Sequence, residues 1–323
     1  MKTFMERLTE EELLILDGAL GTELESRGYD VSGNLWSANY LLENPQVIKN
    51  IHLDYLMAGA DLLTTSSYQA TIPGLLAAGL TRNEAIEVIR LTVRLAQEAR
   101  DAFWKALSDE ERSQRRYPLI GGDVGPYAAF LANASEYTGD YGGVTVEALR
   151  SIHCERMAIL LEAGVDFLCI ETIPNRWEVE ALLQLLAEEF SESQAYLSLV
   201  SLDGEHLPDG TELSEIAHQV DQSSQVLAVG INCSAPDILD QALEYLKQGC
   251  QKPLIAYPNS GEIYDVGTES WQALPADAPS LLDWARRWQE RGTKILGGCC
   301  RTRPEDIAVL ARGLKHSDKL ERN

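Results

Sequence analysis

Eight short runs of residues that favour β-structure recur along this 323-residue sequence, and an amphipathic segment with helical spacing follows nearly every run. The runs lie at residues 13–19, 61–68, 117–125, 166–173, 195–201, 225–233, 253–259 and 294–300. They lack long polar alternation, which is typical of parallel strands that are buried on both faces. Eight βα units in a row predict an α/β fold, a (β/α)8 TIM barrel.

The length of the chain agrees with one such domain. It would also suit two average domains, but an α/β barrel of about 250 residues with insertions accounts for it equally well. No internal repeat, low-complexity tract or linker divides the sequence. We therefore expect a single barrel domain over residues 1–323, closed by a helix at residues 304–314 and followed by a frayed polar tail at 315–323.

Three connections after predicted strands are longer than a minimal βα loop, at residues 20–42, 126–145 and 260–279. In a (β/α)8 barrel they lie at the C-terminal ends of the strands, where active sites are built. We expect them to form a substrate pocket and its lid, and decorative insertion is the alternative interpretation.

The charge balance narrows the classes of partner. Fifty acidic against 27 basic residues give a net charge of −23, which argues against nucleic acid as a partner. The negative electrostatic field of such a chain is compatible with a cationic small molecule as ligand, although most of the carboxylates are expected to be solvated surface groups. No run approaches the roughly 18 apolar residues of a membrane span, no secretory signal is apparent, and six cysteines are too sparse for a disulfide scaffold. We expect a cytoplasmic protein with no membrane contact and no obligate protein partner.

Three cysteines lie at the ends of predicted strands. Cys233 ends the sixth run, and Cys299 and Cys300 end the eighth, directly after Gly297 and Gly298. Three thiolate ligands on one barrel face leave the fourth tetrahedral position of Zn²⁺ open, as in a catalytic site. Neighbouring strand residues point to opposite sides, so the vicinal pair can share a metal only if the backbone turns, and the glycines make a turn cheap. The alternative is burial as small hydrophobes, which we expect for the other cysteines, Cys154, Cys169 and Cys250.

Helix starts follow the same strand ends. Capping patterns are formed by Thr81 with Glu84, by Ser234 with Asp237 and by Thr302 with Glu305. Helices that begin at Ser234 and Thr302 would favour thiolates nearby through their N-terminal amides.

Two carboxylates also lie at predicted strand ends. Asp17 ends the first run, and Glu171 lies near the end of the fourth, where either can hold a ligand ammonium or act as an acid or base. By strand alternation Cys169 would lie inside the barrel beneath Glu171. A buried carboxylate needs a cationic ligand group or an internal hydrogen-bond network, and the sequence leaves both open.

Aromatic residues are frequent in and beside the strand-end loops. They are Trp36, Tyr68, Tyr127, Tyr137, Tyr141, Tyr257, Tyr264 and Trp271. Each aromatic face attracts a desolvated cation by about 0.5–2 kcal/mol, and simple packing over the barrel is the alternative role.

Motifs in eight segments carry a family resemblance. They are Leu16-Asp17-Gly18-Ala19 with Thr22-Glu23-Leu24-Glu25, Leu35-Trp36-Ser37-Ala38, Thr65-Ser66-Ser67-Tyr68-Gln69-Ala70, Ser135-Glu136-Tyr137 with Gly139-Asp140-Tyr141, Glu171-Thr172, Gly230-Ile231-Asn232-Cys233, Tyr257-Pro258-Asn259-Ser260-Gly261-Glu262 and Gly297-Gly298-Cys299-Cys300-Arg301-Thr302. Over residues 13–311 the sequence resembles the homocysteine S-methyltransferases, most closely the branch that uses S-methylmethionine as methyl donor.

The resemblance implies a (β/α)8 barrel in which Cys233, Cys299 and Cys300 hold a zinc ion, with the homocysteine sulfur as its fourth ligand. It also implies that Asp17 and Glu171 hold the amino acid end of homocysteine, together with backbone near Gly18 and Ala19. Further substrate-binding residues implied in this way are Trp36, Ser67, Tyr68, Asn232 and Tyr257. Many relatives outside this branch carry a second glycine at the position of Ala19.

Other functions stay open at this stage. The same barrel could use betaine as donor, or it could be a non-enzymatic zinc-binding protein that needs neither carboxylate. A zinc hydrolase would usually use histidine ligands. The five histidines are scattered over the sequence, at His52, His153, His206, His218 and His316.

Overall fold

The computed structural model describes residues 2–11, 13–31, 36–265, 270–272, 275 and 277–315, with backbone only at 36, 263–265 and 270–272. Eight strands form one sheet: β1 Leu14–Ile15, β2 Leu62–Thr64, β3 Leu119–Val124, β4 Phe167–Ile173, β5 Ala195–Leu199, β6 Val226–Asn232, β7 Leu254–Tyr257 and β10 Thr293–Leu296. Seven of the eight lie within a predicted run, and β10 begins one residue before its run at 294–300. Two further strands, β8 Ile263–Asp265 and β9 Ser270–Gln272, pair as an antiparallel hairpin in the connection after β7.

The sheet closes into a barrel. Its strands follow the order β1-β10-β7-β6-β5-β4-β3-β2, and every pair is parallel. A parallel bridge between Leu16 and Leu62 joins the two ends, supported by a hydrogen bond from the Asp61 amide to the Ile15 carbonyl at 2.7 Å. The predicted (β/α)8 architecture is confirmed.

Helices surround the barrel in the alternation that the sequence predicts. Those described are α1 Phe4–Glu10, α2 Leu20–Ser26, α3 Tyr40–Glu43, α4 Pro45–Ala58, α5 Ile72–Ala77, α6 Arg82–Ala106, α7 Asp109–Gln114, α8 Tyr127–Leu131, α9 Val146–Glu162, α10 Arg176–Glu188, α11 Leu213–Asp221, α12 Pro236–Gly249, α13 Leu281–Glu290 and α14 Pro304–Lys315. Short 3-10 helices lie at Trp36–Asn39 and Ser135–Tyr137. None of the described helices combines the length and low polarity that crossing a bilayer requires.

The barrel interior is a packed core to which helix α1 contributes a side chain. Strand residues from β1 to β10 fill it, among them Phe167, Cys169, Tyr196 and Ile255. Helix α1 adds Phe4, whose ring stacks on Phe167 with centroids 4.1 Å apart. Because Phe167 begins β4, α1 covers the N-terminal end of the barrel and leaves the C-terminal end for a site.

Two predicted helix caps are wrong, although the box of Thr81 and Glu84 at α6 is confirmed. The Ser234 hydroxyl donates to the Ser201 carbonyl at 2.9 Å, and α12 begins after Ala235 without a side-chain cap. The Thr302 hydroxyl donates to the Cys299 carbonyl at 2.6 Å. Both hydroxyls therefore donate to carbonyls of strand-end loops and do not cap the helices that follow.

The C-terminal helix extends one residue beyond the predicted end. Lys315 is the last residue of α14, and its Nζ lies 2.7 Å from Asp61 Oδ2. The rest of the predicted tail, residues 316–323, lies outside the described residues.

Candidate active site

A cavity of about 440 Å³ opens at the C-terminal ends of the strands. Its lining includes most of the predicted site residues, namely Asp17, Gly18, Ala19, Tyr68, Glu171, Cys233, Tyr257, Cys299 and Cys300. The connections at 20–42 and 126–145 contribute to its wall, as expected of two of the three long loops. In the third, the side chains of residues 263–274 lie outside the described part of the chain.

Three thiols converge at one side of this cavity. The Sγ atoms of Cys233, Cys299 and Cys300 all lie within 4.8 Å of one another, and those of Cys233 and Cys300 are 3.7 Å apart. β10 ends at Leu296, so the vicinal cysteines lie in the turn that metal sharing requires. Cys233 has a φ of +50°, a left-handed conformation that non-glycine residues rarely adopt and that is concentrated at functional sites.

The two glycines before the vicinal cysteines provide space rather than conformational freedom. Neither is among the residues with positive φ. A Cβ on Gly297 would lie 2.8 Å from the Asp17 carbonyl oxygen, and one on Gly298 would lie 2.3 Å from Thr302 Oγ1. The turn before the cysteines therefore packs closely against the backbone at the end of β1 and leaves no room for a side chain.

The loop after β7 holds the two cysteine-bearing loops together. The Cys299 amide donates to the Pro258 carbonyl at 2.7 Å, and the Ser260 amide donates to the Cys300 carbonyl at 3.0 Å. The Asn259 amide donates to the Ser234 carbonyl at 3.0 Å. Main-chain bonds thus fix the position of all three thiols before any ligand is bound.

This donor set fits a thiophilic divalent cation. Among the described residues, one group of three His, Cys, Asp or Glu side chains has its ligand atoms close enough to share an ion, and it is this one. The pKa of Cys300 lies well below its usual value because the thiols of Cys233 and Cys299 donate to its sulfur. Three soft ligands on a cavity wall match a zinc site with one open position.

Two carboxylates, the buried Asp17 and the partly buried Glu171, face the same cavity without a basic partner. Asp17 is 4% exposed, and its Oδ2 accepts a hydrogen bond from the Thr64 amide at 2.8 Å. Burial raises the pKa of Asp17 to about 8 and that of Glu171 to about 7. The Tyr257 hydroxyl donates to Glu171 Oε2 at 3.0 Å. The hydrogen-bond network of the alternative interpretation therefore exists, but it supplies no positive charge, and no Lys or Arg is among the described residues that line the cavity.

Two predicted substrate-binding residues lie behind the wall of the cavity. Asn232 is fully buried, and its amide group bonds the backbone amide of Thr172 at 2.9 Å and the hydroxyl of Thr172 at 2.7 Å. Its Nδ2 also lies 3.9 Å from Cys299 Sγ. The Ser67 hydroxyl donates to the Asp123 carbonyl at 2.7 Å. Both residues position the strand ends instead of lining the cavity.

The strand-end aromatics divide into two groups. Tyr68, Tyr137 and Tyr257 line the cavity. Tyr127 and Tyr141 instead pack on each other with ring centroids 5.2 Å apart, and the Tyr141 hydroxyl donates to Glu178 Oε2 at 2.5 Å. The side chains of three more, Trp36, Tyr264 and Trp271, lie outside the described residues.

The remaining cysteines and the described histidines lie apart from the thiol cluster. Cys169 is fully buried in the barrel interior, as predicted, and the Cys250 thiol donates to Asp221 Oδ1 at 3.3 Å. His153 pairs with Glu178 at 2.7 Å, and His206 pairs with Asp203 at 2.9 Å.

Several polar residues that line the cavity were not assigned a role from the sequence, and four of them could bind a substrate. These four are His52, Ser66, Asp123 and Glu136. Asp123 is the next-to-last residue of β3, so the rule that selected Asp17 and Glu171, a carboxylate near a strand end, could also have selected it. His52 lies inside α4, and its spacing gives no such signal.

Comparison with known proteins agrees with this geometry. A family model described as Homocysteine S-methyltransferase matches residues 14–314. Homocysteine S-methyltransferase YbgG of Bacillus subtilis (strain 168) is 45% identical over 306 residues, which cover 94% of this chain and 96% of that protein. Homocysteine S-methyltransferase of Escherichia coli (strain K12) is 43% identical over 303 residues, which cover 94% and 96%.

A solved structure is similar as well. The metallated form of the homocysteine methyltransferase MmuM from Escherichia coli is 42% identical and superposes with a TM-score of 0.83, covering 94% of this chain and 97% of that chain. The resemblance stated from the sequence motifs is confirmed. This chain therefore belongs to the homocysteine S-methyltransferase family of enzymes.

Proposed function

We propose that this enzyme transfers a methyl group from S-methylmethionine to the thiol of homocysteine, with Cys233, Cys299 and Cys300 as the ligands of one zinc ion. The observation that carries the proposal is the convergence of these thiols within 4.8 Å of one another on the wall of a cavity that also holds unpaired carboxylates. Membership in the family makes homocysteine the methyl acceptor.

Asp17 and Glu171 are suited to the ammonium group of homocysteine. Burial disfavours their charged forms, and an ammonium group beside them would offset that cost. The hydroxyl groups of Thr64 and Tyr257 fix the two carboxylates and leave acceptor capacity for the ligand. In this arrangement the backbone near Gly18 and Ala19 adjoins the same end of the substrate.

The methyl transfer is a direct displacement. Zinc at the three thiols would supply Lewis acidity that deprotonates the homocysteine thiol, whose pKa is otherwise near that of cysteine, about 8.5. The sulfur of homocysteine forms a bond to the methyl carbon while the bond from that carbon to the donor sulfonium breaks. The electron pair stays on the departing sulfur, and the thiol proton is released. With S-methylmethionine as donor, both products are methionine.

A sulfonium donor suits the residues around the cavity. Tyr68 and Tyr137 present aromatic faces, which attract cations. The donor loses its charge during the reaction, so these faces aid binding more than the transition state, and orientation of the two sulfurs is the larger contribution. A sulfonium is also a better methyl leaving group than the quaternary ammonium of betaine.

The test is methionine formation from homocysteine by the purified, zinc-loaded enzyme with each donor at equal concentration. We expect S-methylmethionine to be fastest, S-adenosylmethionine slower, and betaine and methyl-folate poor. Betaine as the fastest donor would overturn the donor assignment and leave the zinc-thiolate chemistry standing. No methionine with any donor would favour the non-enzymatic zinc-binding barrel.

A further inference from the structure

Several buried polar atoms without a hydrogen-bond partner belong to residues that line the cavity. Oδ1 of Asp123, Nε2 of His52 and Oγ of Ser66 have no hydrogen-bond partner among the described residues. The three residues are 4%, 2% and 5% exposed, and all three line the cavity. Unsatisfied buried groups are rare in folded proteins, so a concentration of them in one cavity points to a ligand.

Asp123 faces the thiols across the barrel. It pairs in register with Cys169, which belongs to the interior core, so its side chain is on the inner face of β3. In the eight-stranded ring β3 is opposite β7. The thiols come from the ends of β6 and β10, which are the two neighbours of β7.

No basic side chain among the described residues forms a hydrogen bond or a salt bridge with the Asp123 carboxylate. The buried guanidinium of Arg156 is close enough to act on it electrostatically, but it donates its hydrogen bonds to the carbonyls of Gly125 and Tyr68 and to the His153 ring. Burial raises the pKa of Asp123 well above its usual range, and the charge of Glu171 raises it further. An ammonium group beside it would satisfy both the charge and the free oxygen.

The two other groups complement Asp123. Burial lowers the pKa of His52 to about 4, so its ring is neutral at physiological pH and can donate one hydrogen bond. The Ser66 hydroxyl is a second free donor. One anionic acceptor beside two neutral donors is the set that an α-amino acid requires for its ammonium and its carboxylate.

The geometry of displacement decides which substrate this set serves. Attacking sulfur, methyl carbon and departing sulfur must lie roughly in line, so the body of the donor extends away from the thiol cluster. The side of the cavity away from the thiols is the β3 side, where Asp123 lies. Asp17 and Glu171 already serve the ammonium of homocysteine in the proposed function.

We propose that Asp123, Ser66 and His52 bind the α-amino-acid end of the methyl donor, with Asp123 accepting from its ammonium and the other two donating to its carboxylate. The inference rests on the proposed function, since it requires a donor that is an amino acid. It gives these residues a part in specificity: they favour an amino-acid sulfonium over a sulfonium without an ammonium group.

The experiment compares two donors in the wild-type enzyme and in Asp123→Asn at saturating homocysteine. One donor is S-methylmethionine, and the other is (3-carboxypropyl)dimethylsulfonium, which differs from it only in lacking the ammonium and serves as a competitive inhibitor if it reacts too slowly. We expect kcat/KM for S-methylmethionine to fall about tenfold or more through KM, because a hydrogen bond between charged groups is lost. For the second compound, kcat/KM, or the inhibition constant if it does not react, should change less than about twofold. Ser66→Ala should weaken both compounds, since both carry the carboxylate.

Equal losses with both compounds in Asp123→Asn, an effect on the KM of homocysteine alone, or no effect would each overturn the inference. Zinc content and Tm of the variant show whether it is folded, and Asp123→Ser replaces it if it is not. A wild-type enzyme that makes no methionine from S-methylmethionine would instead refute the proposed function. Calorimetric binding of the two sulfonium compounds to the zinc-loaded wild type and variant would then still test the role of Asp123.

Discussion

The Sγ atoms of Cys233 and Cys300 lie 3.7 Å apart, although 67 residues separate the two cysteines along the chain. β7 and the loop after it lie between the two cysteine-bearing strand ends and bond to both. Cys233 itself adopts a left-handed conformation between β6 and α12. The thiol cluster is thus a property of the barrel and does not depend on a local sequence motif.

Removal of any one of these thiols should abolish metal retention. We expect near-stoichiometric zinc in the wild-type protein and strongly reduced zinc in Cys233→Ser, Cys299→Ser and Cys300→Ser, because each variant leaves two soft ligands. Elemental analysis of the purified proteins measures this. Cys250→Ser is the matched control, because its thiol bonds Asp221 far from the cavity. Normal zinc in all three site variants would remove the basis of the proposed function.

Substitution of the two carboxylates should weaken the binding of homocysteine and leave the zinc content unchanged. We expect Asp17→Asn and Glu171→Gln to raise the KM of homocysteine about tenfold to a hundredfold, which corresponds to about 1.5–3 kcal/mol for a charged hydrogen bond. Steady-state kinetics measures the KM of homocysteine, and zinc analysis of the same preparations measures the metal content. If neither KM changes, the two acids belong only to the hydrogen-bond network with Thr64 and Tyr257.

The Asp17 carboxylate should lower the free energy of unfolding of the substrate-free protein at high pH. Its pKa of about 8 in the folded protein lies above the usual 3.8, so the folded state holds the proton more tightly, and the free energy of unfolding decreases as the pH rises between these values. Asp17→Asn removes this loss. We expect the substrate-free variant to be more stable than the wild type by about 1–3 kcal/mol at pH 8 and the two to converge toward pH 4, as followed by thermal unfolding. A difference that does not vary with pH would contradict this assignment.

The barrel and most of its site could be predicted from the sequence, because parallel strands that end in functional residues follow a simple rule. Asp17, Glu171 and the cysteines each lie at the end of an apolar run, and closure of the barrel brings such ends together. The same rule applies to Asp123, the next-to-last residue of β3, which could therefore also have been predicted from the sequence.

Other features depend on packing that spacing does not encode. Ser67 and Asn232 were selected because they belong to the family motifs. Their burial behind the wall of the cavity follows from bonds to residues of other strands. The hydroxyls of Ser234 and Thr302 match a capping pattern, but the Ser234 hydroxyl donates to a carbonyl of another loop and the Thr302 hydroxyl to a carbonyl of its own loop. His52 reaches the cavity from a helix, and nothing in its local sequence predicts that.

Helix α1 provides a test of the core that is independent of the site. Phe4 is fully buried against Phe167, so Phe4→Ala should lower the free energy of unfolding by about 3 kcal/mol, a common value for a buried phenylalanine. Denaturant unfolding measures the loss. Met5→Ala is the matched control, because Met5 is 48% exposed on the same helix and should change stability little. Equal effects of the two substitutions would show that α1 does not seal the barrel.

The central claim is that the three thiols hold a metal on which methyl transfer to homocysteine depends. The most direct measurement is the rate of methionine formation from homocysteine and S-methylmethionine by zinc-loaded enzyme, by enzyme stripped with a chelator under reducing conditions, and by stripped enzyme to which zinc is returned. We predict high, negligible and restored rates, in that order, with Cys300→Ser inactive in all three states. An undiminished rate in the fully stripped enzyme would contradict the account.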